Sequence, residues 1–295
     1  MSDKDSPLWR AAPVIFVVLW AGGYSFAKLG LPYIEPLTML VIRFALATLI
    51  LAGLLVVVRV PWPRTPGHWG ALALSGLLIQ SAYFGFGYQA MSAGVNAGTM
   101  AIMMAVQPLL VALLSLWLAP EDRGGVRLWA GLILGFGGVV IVIAAGKSLG
   151  PSPGFGLGMA ALALAAITAA TLFEKKMAYV THPLVSSLMQ YVVGFASLLP
   201  FALWLETGRI EWAPGLIIAM AYLVLGNSLI AVSLFIGMVR RGNATRISAL
   251  LYLVPPLALI IAWAILGETL TPLAMLGFAL CVVGVHQVNR ATAKG

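Results

Sequence analysis

Charge is what this chain has least of. Asp, Glu, Lys and Arg make up 9% of its 295 residues, where a soluble protein carries about 25%. Hydrophobic residues make up 61%. A soluble domain of this size has too little interior to hide that much apolar surface, which excludes an ordinary soluble globular fold. The same balance excludes disorder, which needs low hydrophobicity and high charge. Cysteine is nearly missing. Cys281 stands alone, so no disulfide within the chain is possible, and its apolar neighbours make it a small buried hydrophobe. Long polar loops are missing as well. The longest connection runs from about Arg59 to Gly67 and is rich in Pro. No loop can hold a soluble domain, which argues against catalysis or nucleic-acid binding outside a membrane. The net charge of +8 comes without a contiguous basic domain, so membrane topology accounts for it better than a nucleic-acid partner.

What remains is apolar helix. The 32 Gly and 17 Pro fall largely inside apolar stretches, a habit of packed membrane helices. About 20 apolar residues are needed to cross the roughly 30 Å of hydrocarbon in a bilayer. Cutting the chain at charge and at Pro and Gly clusters predicts ten spans. They cover 8–27, 33–58, 68–91, 97–118, 126–145, 154–178, 183–204, 214–237, 243–265 and 271–289. The stretch before the first, Met1 to Arg10, leads into a membrane helix and does not read as a cleaved signal.

The cations fix an orientation. With the N-terminus in the cytoplasm, thirteen fall inside: Lys4, Arg10, Arg59, Arg64, Arg123, Arg127, Lys175, Lys176, Arg240, Arg241, Arg246, Arg290 and Lys294. Three fall outside, namely Lys28, Lys147 and Arg209, and Arg43 lies within the second span. That bias predicts an even number of spans with both termini cytoplasmic.

The chain also resembles itself. A gapless shift of 147 residues pairs Lys28 with Lys175, Pro36 with Pro183, Asn96-Ala97 with Asn243-Ala244, Pro108 with Pro255, Glu121 with Glu268 and Gly137 with Gly284. Ser81 meets Ser228 at the same shift, and polar positions in mid-span pair too: Arg43 with Gln190 and Gln80 with Asn227. This predicts two repeats, 1–147 and 148–295. Five spans per repeat is an odd number, so the second repeat enters the membrane from the opposite side. Inverted repeats are a mark of secondary transporters, whose substrate site lies at the repeat interface near mid-bilayer. The predicted fold class is therefore an all-α polytopic membrane protein of ten helices in two inverted five-helix repeats.

Several short motifs bear on a family. Trp20 is followed by Phe26-Ala27-Lys28, Pro36 by Arg43, and Leu266-Gly267-Glu268-Thr269-Leu270 precedes the last span. With the Pro108 region, these resemble the drug/metabolite transporter superfamily in its ten-helix form with two EamA-type repeats, over nearly the whole chain. The aromatic run Tyr83-Phe84-Gly85-Phe86-Gly87-Tyr88 is similar to that of YddG-type amino-acid exporters. The resemblance implies export of aromatic and other apolar amino acids from the cytoplasm across the inner membrane. The superfamily also carries drugs, nucleotide sugars and metabolites.

Candidate substrate contacts follow from polar and aromatic residues at membrane depth. Trp20, Tyr24 and Lys28 share one helix face by their spacing of four. Lys28 near the outer end fits an interfacial belt. Trp20 sits in mid-span, where lining a cavity or packing between helices remains. Gln80, Tyr83, Tyr88 and Gln89 interrupt the apolar run of the third span, and Phe84 falls near one face with Gln80 and Tyr88. Gln80 must find a hydrogen-bond partner at that depth, across a helix contact or in a cavity with its mate Asn227. Met100, Met103, Met104 and Gln107 form a stripe that suits either plain core or a soft, adaptable wall. Pro108 removes one backbone hydrogen bond and frees a carbonyl, and Tyr252, Pro255 and Pro256 disturb the ninth span likewise. These positions are candidates for ammonium binding or for a hinge.

Arg43 is the least ordinary residue. An ionisable group at that depth is a functional-site candidate by default. It can grip a substrate carboxylate, snorkel outward, or act with Gln190 as a structural or gating link. Glu35 is its expected partner. All nine acids fall at span boundaries or in loops, whereas a proton-coupled carrier normally needs an acid within the membrane. Uncoupled export down the substrate gradient is the expectation, with a proton-coupled drug or metabolite exporter as the alternative. No filter-like motif supports a channel, and no His-Glu-x-x-His or Gly-x-Ser-x-Gly supports an enzyme. No metal or cofactor is expected, the partners being a small-molecule substrate and the lipid bilayer. The sequence is compatible with a monomer. Gly135, Gly137 and Gly138 are candidates for helix contacts within or between subunits.

Overall fold

The structure, a computed structural model, describes residues 7–58, 60–118, 125–145, 153–176, 181–231, 234, 254–269 and 271–292. The described elements are helical: α1 (Pro7–Gly30), α2 (Pro36–Val57), α3 (Pro66–Ser92), α4 (Ala97–Met104), α5 (Gln107–Leu118), α6 (Val126–Ala145), α7 (Pro153–Lys176), α8 (Pro183–Leu205), α9 (Pro214–Ala231), α10 (Val254–Leu266) and α11 (Pro272–Thr292). Seven of them begin on proline. The ring fixes φ near the helical value, and the N–H it lacks would have been unpaired in a first turn anyway. Six helices are long and apolar enough to cross a membrane: Ala11–Gly30, Pro36–Val57, Pro66–Ser92, Gly154–Glu174, Pro183–Leu205 and Pro214–Ala231. Shorter apolar helical stretches lie at Ala97–Val111, Val126–Gly138, Leu257–Leu266 and Met275–Gly284.

One span expected to be continuous, 97–118, is broken. α4 ends at Met104, the chain turns at Ala105 and Val106, and α5 restarts at Gln107. Pro108 has no N–H to bond the Met104 carbonyl. The amides of Leu109 and Leu110 turn instead to the Val106 carbonyl, at 2.9 and 3.1 Å.

Two of the long apolar helices also change pitch along their length. α3 is a π-helix over Leu77–Tyr83, and α9 over Tyr222–Ala231. Nothing in the sequence reading anticipates this. The shift of 147 residues carries the first π segment onto 224–230, inside the second. π segments concentrate at functional sites because the wider turn frees backbone groups and re-aims side chains.

The helices pack in pairs that the same shift exchanges. α1 lies on α9 and α10, while α3 and α5 lie on α7. α2 packs on α8, and α6 on α11. Small residues permit the closest approaches. A Cβ at Gly284 would come within 2.5 Å of the Gly135 nitrogen on α6. Gly135 and Gly138 thus serve helix contacts within the chain, and Gly137 faces open space. Cys281 is buried in that contact and donates to the Gly135 carbonyl at 3.3 Å. On α1, Gly23 leaves the space that the Asn227 side chain fills, since a Cβ there would lie 3.0 Å from its Nδ2.

At one end of the bundle the α1–α2 turn meets the α8–α9 turn. Ile34 and Ile210 form an antiparallel bridge, and the Glu211 N–H donates to the Tyr33 carbonyl at 2.8 Å. Glu206 accepts from the N–H groups of Leu37 and Thr38 at 2.8 and 2.7 Å, at the positive end of α2. Glu35 accepts from the amides of Thr207 and Arg209 at 3.2 and 2.9 Å. Slight desolvation pushes the Glu35 carboxyl up, but the amides of Arg209, Thr207 and Gly208 and the Thr207 hydroxyl outweigh it and hold the group below the usual carboxylate range. Glu35 is therefore not the partner of Arg43. The α8–α9 turn claims it instead.

Candidate functional site

Arg43 is 1% exposed, so it does not snorkel. Its Nε donates to the Ser228 hydroxyl at 3.1 Å. Its Nη2 donates to Asn227 Oδ1 at 2.9 Å and to the same hydroxyl at 3.1 Å. Its Nη1 donates to the Tyr88 hydroxyl at 2.9 Å. Every one of these acceptors is neutral. The guanidinium carbon also lies 4.8 Å from the Phe84 ring centre and 5.9 Å from that of Phe44, within cation–π range. A guanidinium has five N–H donors, and among the described residues these four bonds leave one on Nη1 without an acceptor.

The mate of this joint is built by the other repeat. Applying the shift to Arg43–Asn227 gives Gln190–Gln80, and those side chains do meet, with Gln80 Nε2 donating to Gln190 Oε1 at 3.5 Å. Gln190 Nε2 in turn donates to the Ser75 hydroxyl at 3.4 Å, and Ser75 donates to Glu174 at 2.5 Å. Gln80 is buried, and its Oε1 has no hydrogen-bond partner among the described residues. Each π segment is thus held by a polar side chain from the opposite repeat's second helix.

Beside Arg43 the aromatic residues gather. The Tyr24 and Tyr83 hydroxyls are 2.7 Å apart and join α1 to α3. The Tyr83 and Phe84 ring centres are 4.7 Å apart, and those of Phe84 and Tyr88 are 6.3 Å apart. The Tyr191 ring of α8 lies tilted beside that of Phe44, with centres 5.6 Å apart, and its hydroxyl donates to the Ser228 carbonyl at 3.4 Å. The assembly offers one cation, several hydroxyls, amides and ring faces at membrane depth. Such a set can hold a small solute with a negative end and an apolar body. Among the described residues, no three His, Cys, Asp or Glu side chains group as metal ligands.

A model of the EamA-like transporter family matches the chain twice, over residues 10–144 and 154–290. The chain belongs to the EamA-like transporter family. It is 27% identical to a protein of Escherichia coli described as a probable amino-acid metabolite efflux pump, across 97% of this chain and 95% of that protein. It is 27% identical to a probable terminal-alkyne amino-acid exporter of Streptantibioticus cattleyicolor, across 95% and 93%. An uncharacterized transporter of Bacillus subtilis is 27% identical across 97% and 93%. A crystal structure sharing 17% identity superposes with a TM-score of 0.67 over 96% of this chain and 97% of that one, which speaks to the fold. As an EamA-like transporter the protein is a multi-pass inner-membrane protein that moves a small molecule.

Within this EamA-like transporter the anticipated residues divide. Tyr83, Phe84, Tyr88, Asn227 and Arg43 meet in one cluster, with Tyr24 joined through Tyr83 and Gln80 and Gln190 forming the mate. Met100 and Met103 are buried in the main core, Met100 against Gly87, so neither offers open surface here. Gln107 is bound to α7, donating to the Thr171 hydroxyl at 2.6 Å and the Ile167 carbonyl at 3.4 Å. Trp20 is exposed, and its ring pairs with Phe16 on its own helix at 5.5 Å. Pro108 is the second residue of α5, and Pro255 lies in the first turn described of α10. Tyr252 lies outside the described residues. Residues not singled out beforehand complete the cluster: Ser228, Tyr191 and Ser75. Ser228 carried a signal, its pairing with Ser81 under the shift. Ser75 and Tyr191 carried none, because their mates are Tyr222 and Phe44.

Proposed function

We propose that this EamA-like transporter exports amino acids, aromatic and other apolar ones, from the cytoplasm by alternating access, as an uncoupled uniporter running down the substrate gradient. In this reading ten spans form two inverted five-span repeats, 1–147 and 148–295, with both termini cytoplasmic. The observation that carries it is Arg43, a buried cation whose hydrogen-bond partners are all neutral, set against ring faces where the two repeats meet. A buried charge without a counter-ion is costly, and a substrate carboxylate supplies one. The neighbouring rings of Phe84, Tyr83 and Tyr88 suit an apolar side chain. The relatives named for amino-acid efflux support the substrate class.

Counterflow in proteoliposomes tests this. Unlabelled phenylalanine or leucine on one side is expected to stimulate uptake of the labelled amino acid from the other. Absence of trans-stimulation across a full amino-acid panel would overturn the reading. The described carboxylates, Glu35, Glu174, Glu206, Glu211 and Glu268, all lie at helix ends or in turns. A pH gradient alone is therefore expected to drive no accumulation.

One observation favours a second reading, proton-coupled export of drugs or metabolites. Glu174 is linked through Ser75 and Gln190 to Gln80 in mid-membrane. An amide does not pass on a proton the way a carboxylate or imidazole does, so the relay stops at Ser75. Accumulation under a pH gradient that vanishes in Glu174→Gln would decide for this second reading.

A further inference from the structure

The turn between α3 and α4 is gripped at both ends by charged side chains from two other elements. Gly94, at φ 105°, ends α3. Its N–H bonds the Met91 carbonyl at 3.1 Å, and the Val95 N–H bonds the Ala90 carbonyl at 3.1 Å, a Schellman arrangement that only glycine enters easily. Lys28, the last cation of α1, donates to the Met91 carbonyl and, at 3.1 Å, to the Val95 carbonyl. On the far side of the turn Glu268 accepts from the N–H groups of Ala97 and Gly98 at 2.8 and 3.0 Å. A cation thus sits at the negative end of α3 and an anion at the positive end of α4, each in the favourable sense.

Local geometry aims these groups. Gly267, at φ 65°, turns the chain out of α10 just before Glu268. Gly98 has no Cβ, and one placed there would lie 2.7 Å from Leu259 Cδ2 and 3.3 Å from Glu268 Oε2. On α1, Lys28 is one helical turn beyond Tyr24 on the same face. Tyr24 is bonded to Tyr83, and Met91 follows Tyr83 by about two turns on α3. The charged grip therefore closes the junction of α1, α3 and α4 on one side of the tyrosine pair. It does so toward the face that the cation count places outside. Lys28, Asn96, Ala97 and Glu268 recur as Lys175, Asn243, Ala244 and Glu121 under the shift, so the sequence writes the same set a second time.

We infer that Lys28 and Glu268 are positioning residues of the transport cycle. They form an outer clamp that seals the tyrosine pair from the external face and must release before substrate can leave. This rests on the alternating-access reading. Losing the clamp shifts the population toward the state open to the outside. It does so without removing any group of the Arg43 cluster.

The test uses the full chain in vesicles of known orientation, with Cys281→Ala and a reporter cysteine that spares the tyrosine pair, Ser25→Cys, at the buried position next to Tyr24 on α1. A membrane-impermeant maleimide is added to one side or the other. Lys28→Met and Glu268→Gln are each expected to raise labelling from outside relative to inside by about tenfold, the shift that loss of charge-assisted hydrogen bonds brings to a two-state equilibrium. Lys28→Arg, which keeps charge and donors, is expected to restore the parent ratio. A role in stability alone lowers yield but leaves that ratio flat, and a flat ratio in the folded variants overturns the clamp. If Glu268→Gln does not fold, Lys28→Met decides, and Gly98→Ala crowds Glu268 from the other side without removing a charge. Counterflow on the unmodified chain reads the underlying proposal separately. Its absence sinks alternating access, whereas a flat labelling ratio with counterflow intact sinks the clamp alone.

Discussion

The two joints that hold the π segments occupy equivalent places and differ in chemistry. On α2, Arg43 makes four hydrogen bonds of 2.9 to 3.1 Å to Tyr88, Asn227 and Ser228. On α8, Gln190 meets Gln80 at 3.5 Å and Ser75 at 3.4 Å, and Gln80 Oε1 is left without a partner among the described residues. The shift exchanges the described helix pairings, but the bonding at the two joints differs. A single charge makes one joint short and many-bonded while its mate stays neutral and loose. If transport proceeds by the alternating access proposed above, such a difference gives the two end states unequal energies.

Breaking the strong joint is expected to cost most. Arg43→Gln removes the cation and strands Ser228, Asn227 and Tyr88 as buried polar groups, which at about 1–3 kcal/mol each for unpaired groups predicts a loss of roughly 2–4 kcal/mol after partial repair. A drop in the unfolding midpoint of the detergent-solubilised protein measures it, and an unchanged midpoint would contradict the role given to Arg43.

A glycine pair sharpens the same point in packing. Gly284→Ala drives a methyl into the α6 backbone at Gly131 and Gly135, and overpacking of this kind costs about 1–3 kcal/mol. Its mate Gly137→Ala meets open space and is expected to be near neutral. Equal effects of the two on the same midpoint would show that the α6–α11 contact is looser than described.

Weakening the loose joint should cost less. Gln190→Leu removes two long hydrogen bonds and strands only Gln80 Nε2, one buried group against the three left by Arg43→Gln, so its expected loss is about 1 kcal/mol, the low end for an unpaired group whose bond was already long. A loss equal to that of Arg43→Gln would mean the two joints are energetically alike.

The smallest effect concerns pH, at the turn that joins the repeats. Glu35 has a depressed carboxyl pKa, so its contribution is present above the ordinary carboxylate range and fades as pH falls through the folded value. Glu35→Gln is expected to be slightly less stable than the parent at neutral pH and equal to it in acid below that range. A gap that persists or widens in acid would reverse the assignment.

Much of the frame was legible in the residues, because a bilayer imposes length and polarity on every spanning segment. Proline marked where most helices begin, and the anticipated positions of Tyr83, Phe84, Tyr88, Asn227 and Arg43 fall into one cluster. The shift of 147 residues relates the members of the two joints, Arg43 to Gln190 and Asn227 to Gln80, but not the contacts themselves, in which Arg43 meets Asn227 and Gln190 meets Gln80. The partner of Arg43 was not legible. Glu35 is nearer along the chain, but it belongs to the α8–α9 turn, and the real acceptors lie 184 and 185 residues away. Nor was the burial of Met100 and Met103, since the same stripe fits a core or a pocket wall.

The sequence by itself determined composition, period and charge placement, and these follow from local demands: an apolar run to match the hydrocarbon, cations near span ends, proline at helix starts. Tertiary structure alone decided the π segments at Leu77–Tyr83 and Tyr222–Ala231, the break at Ala105–Val106 as a true interruption, and the partners of each polar side chain. The physical reason is that a polar group inside a membrane must find a partner. Which group that is depends on which helices touch, so it is set by contacts far apart in the chain.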